Sequence, residues 1–94
     1  MNDLLTVKIY TVKGSRQPIE CDDIQIPIQD SVDGSFSGCY GIRKGHAPAV
    51  FSLKAGLLRL SSNGTVLLES NISDGFATVE NNEVCITVAS ITEV

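Results

Sequence analysis

The run Leu58-Arg59-Leu60-Ser61-Ser62-Asn63-Gly64-Thr65 carries two signals at once. Leu58 and Leu60 alternate with Arg59 and Ser61, the two-residue period of a strand with one face turned inward. Asn63-Gly64 then supplies two residues that tolerate positive φ in succession, as a type I′ turn requires. Together they predict a β-hairpin, with one strand ending near Ser62 and the next beginning near Thr65.

The same period recurs on both sides of this hairpin. Val7 and Ile9 alternate with Lys8 and Tyr10; Ile24, Ile26 and Ile28 alternate with Gln25, Pro27 and Gln29; Phe51 and Leu53 continue the pattern after Pro48. Near the end, Val84, Ile86 and Val88 alternate with Cys85, Thr87 and Ala89, and Asn81-Asn82 before them predicts a second hairpin against Phe76 to Glu80. No window of helical length places apolar residues at i, i+3, i+4 and i+7. The chain reads as all-β, and short strands at this spacing indicate a sandwich or barrel. Pro27 cannot donate to a ladder, so its strand is expected at a sheet edge or at a bulge. Asp30 to Gly45 carries Gly34, Gly38, Gly41 and Gly45 among polar residues and is expected to be the main loop.

With 94 residues the chain has room for one domain, residues 1–94, and one core. Hydrophobic residues at 43% suffice for a packed interior, and charged residues at 19% are too few for a disordered polymer. The net charge is -4, and its distribution is uneven. Every Lys and Arg lies at or before Arg59, while Glu69, Asp74, Glu80, Glu83 and Glu93 follow it. Arg43-Lys44 is the only adjacent basic pair, which fits a solvated loop and argues against nucleic acid as a partner. Residues 1–20 contain Asp3, Lys8, Lys13 and Arg16 and no unbroken apolar run, and no later stretch approaches the ~20 apolar residues of a membrane span. A soluble, unexported chain with reduced Cys21, Cys39 and Cys85 is expected.

No catalytic constellation emerges. His46 is the single histidine, without a second His or Cys at metal-ligand spacing, so neither a metal nor a cofactor is expected. Pairing His46 with one of the cysteines as a nucleophile finds no supporting signature, and buried structural thiols are the simpler account. Asp22-Asp23 and the Asp30, Asp33 pair lack the spacing of a calcium loop. The glycines are followed by no helix pattern and no Gly-Lys-Ser/Thr ending, so they form no phosphate cradle.

Gly45-His46-Ala47-Pro48, followed by Phe51-Ser52-Leu53-Lys54-Ala55-Gly56-Leu57-Leu58-Arg59-Leu60, resembles the glycine-histidine-alanine-proline segment and lysine-proline-glycine continuation of ATP synthase epsilon subunits. Asp33-Gly34-Ser35-Phe36 is similar to the acidic glycine loop of that family, and Asp74-Gly75-Phe76-Ala77-Thr78-Val79 to its glycine-glycine-phenylalanine strand. Asn82 to Ala89 falls where the last sandwich strand belongs. The sequence departs from the pattern in four places. Ser37-Gly38-Cys39-Tyr40 stand as an insertion, Arg43-Lys44 replace an apolar-proline step, Ser35 replaces an acidic residue and Ala55 a proline. The family commonly continues into a two-helix C-terminal domain, whereas this sequence stops at Val94.

The resemblance implies a flattened β-sandwich of about ten short, mainly antiparallel strands. It also implies a non-catalytic rotor subunit that binds the gamma subunit and the c-ring, coupling proton transport to ATP synthesis. The protein would sit at the cytoplasmic face of a bacterial membrane, touching the membrane only through the complex. On the same basis Asp33, Gly34, Ser35, Phe36 and Tyr40 would face the c-ring, with Ser37 to Tyr40 projecting from the end of the sandwich. His46, Ala47, Pro48 and Phe51 would lie at or near gamma. Plainer roles stand beside these: His46 as a loop-fixing hydrogen-bonder, Pro48 as a turn-setter, Phe51 as core. Composition alone also allows a free-standing β-sandwich module for a protein or carbohydrate ligand, although Trp is absent and aromatic residues are few.

Overall fold

The computed structural model describes residues 4–28 and 38–93. Among them run eleven strands and no helix: β1 (Leu5–Thr11), β2 (Gly14–Ser15), β3 (Ile19–Cys21), β4 (Asp23–Ile28), β5 (Gly38–Arg43), β6 (Ala49–Leu53), β7 (Gly56–Ser62), β8 (Thr65–Ile72), β9 (Gly75–Glu80), β10 (Glu83–Val88) and β11 (Ile91–Glu93). The hydrogen-bonded order is β11-β8-β7-β4-β6-β9-β10-β1-β2, with β3 added to β1 and β5 to β4. All pairings are antiparallel except β1 with β10, which run parallel from Thr6 opposite Glu83 to Tyr10 opposite Thr87.

Strands from both ends of this path bury side chains in the same cluster. Leu5, Val7 and Ile9 of β1 and Val84, Ile86 and Val88 of β10 pack with Leu58 and Leu60 of β7 and Ile72 of β8. Distant strands can share one core only if the sheet doubles over, so the layers face each other as a sandwich. The Asp22 N–H donates to the Ser61 carbonyl at 3.1 Å, fastening the chain just after β3 to β7.

Both predicted hairpins form. Asn63 and Gly64 have φ of 52° and 79° between Ser62 and its partner Thr65, and the Asp22 carboxylate accepts the Asn63 N–H at 2.8 Å. Asn81 and Asn82 have φ of 51° and 61° between Glu80 and its partner Glu83. The inward residues of β1, β7 and β10 are those the alternation selects.

Two expectations need correction. The strand holding Pro27 is not an edge: β4 pairs with β5 along its whole length, and on its other side with β7 at Asp23–Gln25 and with β6 at Ile28. The Pro27 carbonyl accepts the Lys54 N–H at 3.0 Å. A strand residue points its N–H and C=O to the same side, so the missing donor of Pro27 falls where β4 changes partner from β7 to β6 and no ladder bond is required. Gly56 allows this close approach, since a Cβ there would stand 2.9 Å from the Cβ of Pro27. The second correction concerns the glycine-rich segment. Its later part is a strand, β5, because Tyr40 and Ile42, two residues apart, both turn toward the core, Ile42 fully buried and Tyr40 half-buried. Tyr40 therefore pairs with Ile26 within the sheet and does not project from the end of the sandwich.

Candidate functional site

After β5 the chain reverses through Lys44 and Gly45. The His46 N–H donates to the Arg43 carbonyl at 3.2 Å, closing a four-residue turn in which Gly45 occupies φ 82°. A third residue at positive φ is the hallmark of a type II turn, and glycine enters it without steric cost. The turn delivers the His46 ring onto Tyr40 and Phe51. His46 and Tyr40 meet edge to face with centroids 5.7 Å apart, Tyr40 and Phe51 lie tilted at 4.7 Å, and His46 and Phe51 are 5.8 Å apart.

Hydrogen bonds fix the imidazole at both nitrogens. Nδ1 lies 2.7 Å from the Ala47 carbonyl, which can only accept, so Nδ1 carries the hydrogen. In the neutral ring Nε2 then accepts the Tyr40 hydroxyl proton, at 2.9 Å. Tyr40 and Phe51 continue inward as partly buried residues packed on the core. The loop is also held from outside, because the Asn82 side-chain carbonyl accepts the Gly45 N–H at 2.8 Å. Ala47 and Pro48 are left exposed beside this cluster, and Val50 is 73% exposed. Between β6 and β9 lies an open groove of about 370 Å³ lined by Pro48, Ala49, Val50, Thr78, Val79 and Glu80.

The site residues read from the sequence are thus regrouped. Asp33, Gly34, Ser35 and Phe36 lie outside the described residues. Tyr40, assigned with them, instead joins His46 and Phe51 in one cluster. His46 holds its loop through a backbone bond, and Phe51 is half core, so the plainer roles of both are present in the geometry. Asn82 and the wall of Thr78 and Glu80 were missed as site residues. The Asn81-Asn82 pair marks a turn in the sequence, but a bond across 37 residues leaves no local trace.

The remaining chemistry is sparse. Among the described residues no three His, Cys, Asp or Glu side chains gather in a way that could hold a metal ion. Cys21 is fully buried, and burial pushes its thiol up to about 11; the nearby Asp22 and Asp23 charges act in the same direction, against a backbone hydrogen bond from Asp23. A nucleophile needs the opposite shift. Among the described residues no helix is long and apolar enough to cross a membrane.

Residues 5–94 match the family model of the ATP synthase delta/epsilon chain β-sandwich domain. Over 62 residues the chain is 42% identical to the ATP synthase epsilon chain of Cyanothece sp., covering 66% of this chain and 44% of that one. It is 36% identical over 62 residues to the chloroplastic ATP synthase epsilon chain of Pylaiella littoralis, with 64% and 45% covered. It spans under half the length of these relatives. A chain in the Euglena gracilis mitochondrial ATP synthase OSCP/F1/c-ring assembly superposes with a TM-score of 0.82 at 20% identity, over 99% of this chain and 55% of that one. A chain of the Tetrahymena thermophila mitochondrial ATP synthase central stalk/c-ring gives 0.73 at 14% identity, over 94% and 65%. At such identities the likeness is one of fold.

Proposed function

Because the chain belongs to the ATP synthase delta/epsilon β-sandwich family, we propose that it is a non-catalytic subunit of the central stalk, binding a gamma-type subunit and the c-ring so that the three turn together. The observation that carries this is the family match over residues 5–94, which includes the His46 loop and both hairpins. A rotor part needs stiffness and surfaces rather than a reactive group. Close-packed interiors have low compressibility and transmit strain, and here one core ties both layers together. The protein is then a peripheral part of the complex, at the cytoplasmic face in a bacterium, and meets the membrane only through the c-ring. In this role His46, Ala47, Pro48 and Phe51 belong to the gamma-facing surface. Tyr40 supports them from beneath, and Asp33, Gly34, Ser35 and Phe36 serve the c-ring contact.

Reconstitution tests this. Purified chain added to gamma and detergent-solubilised c-ring is expected to co-migrate with both on size exclusion. A chain that elutes alone with either would leave a free-standing recognition module as the better description.

A further inference from the structure

The turn between β7 and β8 sets an asparagine directly before a glycine, and both residues are exposed, at φ of 52° and 79°. Among the described residues no hydrogen bond holds the Asn63 carboxamide or the Gly64 N–H. The bond that Asn63 makes runs from its own N–H to the Asp22 carboxylate, at 2.8 Å. Open space surrounds Gly64, where a Cβ would meet nothing within 4 Å. With no side chain on the following residue, the Gly64 nitrogen can approach the Asn63 carboxamide unhindered.

The other described asparagines lack this combination. Asn71 lies within β8 and precedes the β-branched Ile72, and Asn81 precedes Asn82. Asn82 precedes Glu83, and its side-chain carbonyl already accepts the Gly45 N–H at 2.8 Å.

We propose that Asn63 is a site of spontaneous covalent modification, closing on Gly64 to a cyclic imide and reopening as an acid, with Asp22 as the positioning residue that restrains it. The Gly64 nitrogen attacks Cγ of Asn63 and gives up its proton, and the side-chain nitrogen leaves as ammonia. Water then opens the ring. Breaking the bond to Cγ leaves an ordinary aspartate, whereas breaking the bond to the main-chain carbonyl carbon leaves isoaspartate, whose chain runs through the side-chain carbons. Water is consumed and ammonia released, with no change of oxidation state.

Ring closure requires the turn to leave its folded geometry briefly, and exposed turns open at far lower free energy than core strands do. Asp22 opposes that opening, because a bond to a charged acceptor is among the stronger hydrogen bonds. Its own N–H is fastened to the Ser61 carbonyl at 3.1 Å, so the clamp is anchored in β7. Both products disturb the hairpin. An ordinary aspartate keeps a turn of Asp-Gly type but sets a second carboxylate beside Asp22, and the iso linkage lengthens the main chain of a turn built for two residues. β7 supplies Leu58 and Leu60 to the core, so slack in the turn is carried inward. This inference is independent of the stalk assignment.

The test ages the folded full chain in mildly alkaline buffer, then maps its peptides by mass spectrometry, with enzymatic methylation to mark isoaspartate. Residue 63 is expected to become acidic ahead of Asn71, Asn81 and Asn82, with the iso form present. Asp22→Ala should speed the conversion roughly tenfold, since bonds to charged acceptors contribute at least about 1.4 kcal/mol and that is a factor of ten. Asp22→Asn, which keeps an acceptor without the charge, should fall between. Asn63→Gly retains the turn and removes the carboxamide, so its thermal midpoint should survive ageing while that of the parent declines. A folded parent chain that stays unmodified at residue 63 while the same chain converts in denaturant would overturn the site. Equal rates in the parent and both Asp22 variants, all measured well below their melting temperatures, would overturn the restraint.

Discussion

Gly75 opens β9 and faces Val88 of β10, where a Cβ would overlap the Thr87 carbonyl oxygen and crowd Val88 Cα at 3.0 Å. Backbone atoms held in a ladder cannot step aside as a flexible side chain can, so this position excludes any larger residue. Gly75→Ala is expected to destabilise the domain by about 3 kcal/mol, the upper end of ordinary overpacking. Gly41→Ala, where the nearest atom is a Gln25 side-chain nitrogen at 3.5 Å, should stay within about 0.5 kcal/mol. Urea melts of the two variants check the contrast. Cys21 makes a second prediction. Its thiol ionises from 9.0 in the unfolded chain but only near 11 when buried, so between these values the unfolded state has released a proton that the folded state retains. Stability should therefore fall as pH rises through that window, by at most ~1.4 kcal/mol per pH unit. Below pH 10.5, where Lys8, raised by its Glu83 partner, has not begun to titrate, the slope should vanish in Cys21→Ala, whatever that substitution costs at neutral pH; a slope that persists there would assign the alkaline loss to other groups.

Among the elements, the hairpins were legible because their cause is local. Asn63-Gly64 and Asn81-Asn82 adopt positive φ, and the flanking alternation sets which face turns inward. The parallel pairing of β1 with β10 left no such mark, since it depends on how the whole sheet closes. β5 was obscured by its glycines, whose preference for turns was outweighed by burying Ile42 and Tyr40 against β4. In the candidate site the loop residues were visible in the Gly45 to Pro48 motif. Tyr40 was assigned to a different surface because the reach of its ring across to His46 depends on that hidden strand. The strand assignment separates two contributions of Tyr40. Tyr40→Phe keeps the ring stack and removes only the hydroxyl on His46, and is expected to cost about 1 kcal/mol. Tyr40→Ala also empties the half-buried ring site and should cost about 3 kcal/mol. Equal and negligible losses in thermal melts would mean that Tyr40 lies in a loop free of the core.

At the scale of the whole molecule, one curled sheet around one core carries the His46 loop and the groove beside it. Some of the outer charges of the described residues are paired, as in Arg59 with Glu69 at 2.8 Å and Arg16 with Glu93 at 2.8 Å. Exposed pairs of this kind contribute little to stability, typically about 0 to 1 kcal/mol, so the acidic surface is better understood through its partners than through the fold. Native mass spectrometry of the ATP synthase released gently from its membranes tests the stalk assignment most directly. The expected result is one copy of the chain in each intact particle, lost together with gamma when the stalk dissociates. Particles complete in gamma and c-ring but lacking this chain would contradict it.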